Sequence, residues 1–152
     1  MTETLVNGLP LPKILVDLLE QNRWTHPGDD VINRLLPYLR YPIDFLGSVE
    51  AIRFESTGFL ADDPGTSKIF REIRGAKNHG DINLPWRDVD LSFFVAVNRI
   101  PGDDIGIALD YRTDWSNPRV IASNWKDNST GSFIEWEKVA PTFSQFVELV
   151  GL

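Results

Sequence analysis

The sequence predicts an α+β domain: a largely antiparallel sheet, braced by N-terminal helices and closed by a C-terminal helix. Three observations predict it. Apolar residues repeat at helical spacing through the first third of the chain. Beyond Leu91 they change to continuous or alternating runs of strand length. The last of these runs leads into a helix that carries signals at both ends. At 152 residues, 42% hydrophobic and 11% aromatic, the chain reads as one domain, 1–152. A fold of that size hides roughly 68–70% of the surface of its unfolded chain.

Taken in order, Pro12 suits the first turn of a helix, and Ile14, Leu15, Leu18 and Leu19 follow at helical spacing. Asp29 or Asp30 is the expected cap of a second helix bearing Val31, Ile32, Leu35 and Leu36, which Pro37 should end. Ile43, Leu46, Val49 and Ile52 suggest a third short helix ending near Phe54. From Gly58 to Trp86 the glycines and prolines predict long loops.

Phe93 to Val97 is an apolar run fit for a buried central strand. Ile105, Ile107, Leu109 and Tyr111 alternate with Gly106, Ala108 and Asp110, so small residues leave room on one face. Asp110, among them, is expected to have a structural hydrogen-bonding role. Arg119 to Ala122 returns as an antiparallel neighbour, and Phe133 to Val139 alternates again. Thr142 and Gln145 stand at capping-box spacing. Phe143, Phe146, Val147 and Val150 then make an apolar stripe, and Gly151 is the stop. The expected core includes Phe93, Val95, Ile107, Leu109, Trp136, Phe143, Phe146 and Val147.

Composition narrows the function. There is no cysteine, which excludes thiolate nucleophiles, Cys-based zinc sites and iron–sulfur clusters. Residues Met1 to Gly8 lack a basic region followed by an apolar run, and no stretch nears the roughly 20 apolar residues of a membrane span. A cytoplasmic protein without a membrane partner is expected. The net charge of −7, from 22 acidic and 15 basic residues, repels nucleic acid and attracts basic partners.

Residues that carry chemistry are few. Gly102-Asp103-Asp104 resembles a metal-binding turn, and adjacent carboxylates suit a hard divalent cation. A solvated hairpin turn is the preferred reading, with a metal-assisted hydrolase as the rival. The loop acids Asp62, Asp63, Asp103, Asp104 and Asp114 either converge on a basic partner or serve as turn formers. His26 and His79 lie far apart, and Ser123 and Ser132 lack a nucleophile elbow. Lys68, Arg71, Arg74 and Lys77 read as a solvated loop. Neither a phosphate loop nor a dinucleotide fingerprint is present, so no enzyme, cofactor or metal is expected. Trp86 and Trp136 adjoin strands and belong to the core, whereas Trp115 and Trp125 fall in predicted turns, where exposed aromatics favour protein interfaces.

The succession Ile107-Ala108-Leu109-Asp110-Tyr111-Arg112, Pro118-Arg119-Val120 and Trp136-Glu137-Lys138-Val139-Ala140-Pro141-Thr142-Phe143-Ser144-Gln145-Phe146 resembles the SUKH superfamily of Smi/Knr-like domains. The resemblance covers Leu91 to Leu152. It implies a sheet braced by helices, without shared catalytic residues, in a family of immunity proteins that neutralise toxins, often nucleases, and of regulators acting through protein contacts. The expected function is therefore a non-catalytic protein-binding module, an immunity protein for a cognate basic toxin; an intracellular regulator or scaffold of the same fold is the alternative. Asp103, Asp104, Asp114, Trp115 and Trp125 are the expected partner-binding residues.

Overall fold

In the computed structural model the described residues are 4–39, 42–57, 87, 89–98, 105–129 and 131–152. They form an α+β fold. A two-stranded hairpin, β1 (Leu5–Val6) and β2 (Leu9–Pro10), opens it. Helices α1 (Lys13–Glu20) and α2 (Asp29–Leu35) follow. Then come β3 (Ile43–Phe45), α3 (Val49–Thr57), β4 (Ser92–Asn98), β5 (Gly106–Asp110), β6 (Arg119–Asn128), β7 (Gly131–Ala140) and α4 (Phe143–Val150). The main sheet has the order β3-β4-β5-β6-β7, every pair antiparallel, so neighbours in sequence are neighbours in space.

Several expectations are corrected. The opening hairpin was not anticipated, although its signal is plain: Asn7 and Gly8 take positive φ, 54° and 76°, as a two-residue hairpin turn requires. The expected helix from Ile43 is instead strand β3 followed by α3. Spacing of three or four between single apolar residues fits a short strand plus a later helix as well as it fits one helix. Helix α2 ends before Pro37 as expected, but Gly28 holds its N-cap position without a side-chain bond, and Asp29 and Asp30 lie in its first turn. There their charges complement the helix dipole. Strand β6 runs well past Ala122 and takes in Trp125.

Alternation along the strands divides the core. On one face Phe93, Ile107, Leu109 and Val120 are buried with Phe143 and Phe146 of α4. Trp24, from the segment after α1, lies in that layer, with ring centroids 4.8 Å from Phe45, 5.7 Å from Phe143 and 6.2 Å from Phe146. Its indole N–H donates to the carbonyl of Val95 at 3.1 Å. Val95 sits at a register shift between β4 and β5, and its carbonyl also accepts the Leu46 N–H. Helix α4 has the expected ends: the Thr142 hydroxyl accepts from the Gln145 N–H, and Gly151 is left-handed. All eight expected core residues are buried.

The other face holds the small residues of β5, and an aromatic ring fills the room they leave. Phe94 and Trp136 pack with centroids 5.9 Å apart, and the buried Arg87 guanidinium lies 4.5 Å over Phe94 and 5.2 Å over Trp136. A Cβ on Gly106 would stand 2.9 Å from two carbons of the Phe94 ring and 3.0 Å from the Ala96 carbonyl oxygen. Glycine at 106 is thus required by close approach, since neither a buried ring nor a strand backbone yields cheaply. Gly106→Ala should destabilise the protein by about 1–3 kcal/mol through overpacking, read as a lower urea midpoint with an unchanged slope.

The loops expected over 58–86 lie outside the described residues, and with them Asp62, Asp63, His79, Trp86 and the basic run Lys68, Arg71, Arg74 and Lys77. No described helix is long and apolar enough to cross a membrane.

Candidate functional site

Strands β5 and β6 are joined by the turn of residues 111–118, and both ends of that turn are anchored by one carboxylate. Antiparallel register sets Asp110, the last residue of β5, opposite Arg119, the first of β6. Asp110 is fully buried. Its Oδ1 accepts from the Arg112 backbone N–H at 3.1 Å and from Arg112 Nε at 2.9 Å, while Oδ2 accepts from Arg112 Nη2 at 3.1 Å. Arg119 donates to Oδ2 through Nε at 3.1 Å and through Nη2. Burial alone would raise the Asp110 pKa, but the hydrogen bonds from Arg112 and Arg119 and the Arg112 charge outweigh it and hold the carboxyl below its ordinary value. The guanidiniums are spent inward, with the two side chains only 7% and 11% exposed.

The turn is also fastened from above and below. The Tyr111 hydroxyl donates to the Pro10 carbonyl in β2, and its ring lies 5.5 Å from Phe93. Burial raises the pKa of that hydroxyl, which keeps it a donor. Asn117 Nδ2 donates to the Ser144 hydroxyl at 2.9 Å, and Asn117 Oδ1 accepts the Ser144 N–H at 3.1 Å. The turn is therefore bonded to the start of α4 in both directions. Asp114 shapes its tip: Oδ1 accepts from Ser116 N at 2.8 Å, Ser116 Oγ at 2.8 Å and Asn117 N at 3.2 Å. These bonds, the Ser116 amide first, lower the Asp114 pKa.

Trp115 stands on this frame. Its ring meets Tyr111 edge-on at 6.0 Å, yet 53% of the residue is exposed. An indole left half in solvent on a turn with so many internal bonds would need little ordering on contact with another molecule. The arrangement suits recognition of another molecule's surface, and its acid is a turn former as well as a charge.

Of the other expected site residues, Trp125 does not join it. Trp125 is 37% exposed and pairs with Ile134 across β6 and β7. It therefore shares the face of Trp136, whereas Trp115 packs on Tyr111, which belongs to the Phe93 face. Six residues separate Arg119 from Trp125, about 20 Å along a strand. Trp115 and Trp125 are thus at opposite ends and on opposite faces of the sheet. Asp103 and Asp104 lie outside the described residues. Among the described residues no three His, Asp or Glu side chains are grouped as metal ligands would be. His26 occupies the turn between α1 and α2, where its Nδ1 accepts the Gly28 N–H at 3.0 Å.

Sequence reasoning did not single out Arg112, Arg119 or Asn117 as supports. The available signal was an acid and a base at mirrored positions around one turn, Asp110 and Arg119. Comparison of the chain with family models, with curated proteins and with solved structures found no match.

Proposed function

We propose that this chain is a non-catalytic protein-binding module of the SUKH, Smi/Knr-like kind, an immunity protein that binds and neutralises a cognate basic toxin domain. One observation carries the reading: a half-exposed Trp115 on a turn tied to β2, to α4 and to a buried Asp110–Arg112–Arg119 cluster. Protein interfaces draw most of their affinity from a few such aromatic anchors. The resemblance supports the class of partner. Its three segments fall on β5, on the start of β6, and on β7 running into α4. The net charge of −7 favours encounter with a positively charged domain, in a manner that weakens with salt.

The test is to look for a toxin domain encoded beside this chain, as the reading requires, and to co-express the two. Rescue of growth together with co-purification is the expected result, and failure of both would overturn the reading. In the complex Trp115→Ala should weaken affinity by about 2 kcal/mol or more, roughly 30-fold, measured by calorimetry, while leaving the free protein folded.

A further inference from the structure

From the Trp115 turn we infer that it is an arginine-receiving site: a guanidinium of the partner stacks on the exposed indole of Trp115 and pairs with the carboxylate of Asp114. The inference rests on the proposed protein-binding function and names the chemistry that the partner must present.

Three observations carry it. First, all three turn bonds to Asp114 end on Oδ1, so Oδ2 remains available at a fully exposed, ionised side chain. Second, Trp115 is the next residue, with Cα atoms about 3.8 Å apart, and Tyr111 meets its ring edge-on. With 53% of Trp115 exposed, part of the indole stays in solvent for stacking. Third, Arg112 and Arg119 are drawn inward onto Asp110 and are almost wholly covered. The charge that the turn offers to solvent is that of Asp114, within a chain of net −7.

A planar cation needs an aromatic face and a carboxylate held near it, and guanidinium uses both at once. It stacks flat and donates in a fork, whereas an ammonium is a compact, strongly hydrated point charge. Arginine is accordingly preferred to lysine at this turn. The rigidity of the turn matters here, because two groups already in place cost little entropy to engage.

The test uses the full chain labelled for NMR and titrated with acetyl-arginine-amide, with the lysine and citrulline analogues as controls. The expected result is a saturable shift of the Trp115 indole N–H signal with arginine, smaller with lysine and absent with citrulline. Asp114→Asn retains the Oδ1 acceptor and hence the turn, and should weaken the response about 2- to 5-fold; Trp115→Phe, followed through the backbone amide signals of Trp115's neighbours Ser116 and Asn117, should weaken arginine binding by a similar factor. An equal shift at Trp125, or an equal response to citrulline, would overturn the inference. A parallel co-purification with the toxin domain that the proposed function requires separates the two claims. A complex weakened by Trp115→Ala but indifferent to Asp114→Asn would overturn the arginine site and leave the binding module standing. An arginine response without any complex would support the site and remove the toxin as partner.

Discussion

Asp110→Ala should destabilise the fold by about 3–5 kcal/mol, the cost of leaving buried charges without their counterion. The carboxylate is fully covered and receives five hydrogen bonds from two arginines. Removing it strands two guanidiniums that are 7% and 11% exposed, and it loosens both ends of the turn that bears Trp115. Chemical denaturation measures the loss, and a shift under 1 kcal/mol would mean that water or another group replaces the carboxylate. The same group sets an acid limit. Its folded pKa lies below the ordinary value, against about 3.9 in the unfolded chain. The stabilisation is therefore complete above the unfolded value, and it is lost as pH falls from near 4 toward the folded pKa. Asp110→Asn should be less stable at neutral pH and should lack this part of the acid transition.

Trp24→Ala should cost a similar amount, about 3–5 kcal/mol. The ring is 2% exposed and touches Phe45, Phe143 and Phe146, so its loss opens a cavity between the sheet and α4. It also removes one of the two donors that satisfy the Val95 carbonyl. Trp24→Phe should recover part of the packing but not the hydrogen bond. The contrast is Trp115→Ala, expected to change stability by no more than about 0.5 kcal/mol because the ring is half in solvent. Unfolding midpoints of the three variants, measured side by side, check both statements.

What the sequence disclosed follows from the range of each interaction. Strands β5 and β7 and helix α4 were legible because alternation, a Thr142 cap and a Gly151 stop are local. Strand β3 was missed because Ile43 and Leu46 mimic helical spacing, and three residues are too few to establish a period of two. Hairpin β1–β2 was missed despite Asn7-Gly8, since two-residue strands leave no apolar pattern. Asp110 was rightly given a structural hydrogen-bonding role, yet its partners emerge only once β5 and β6 are in register. Trp115 was placed correctly in a turn. Trp125 was not, because the polar residues Asn124, Lys126 and Asp127 around it read as loop while β6 continues through them.

The reach of the Trp24 and Tyr111 bonds has a consequence for synthesis. Their sequence separations are 71 and 101 residues. The chain emerges from the ribosome N-terminus first, so the hairpin and α1 and α2 appear long before the β4–β7 residues with which Val6, Leu9, Leu15 and Leu18 share one core cluster. Until β4 and its successors arrive, that core cluster is incomplete. The meander, by contrast, closes by short-range pairing once it is made. The early half of this protein therefore waits, with its oily faces open, for the late half, and the nascent chain passes through a long interval of exposure to chaperones and to its own aggregation.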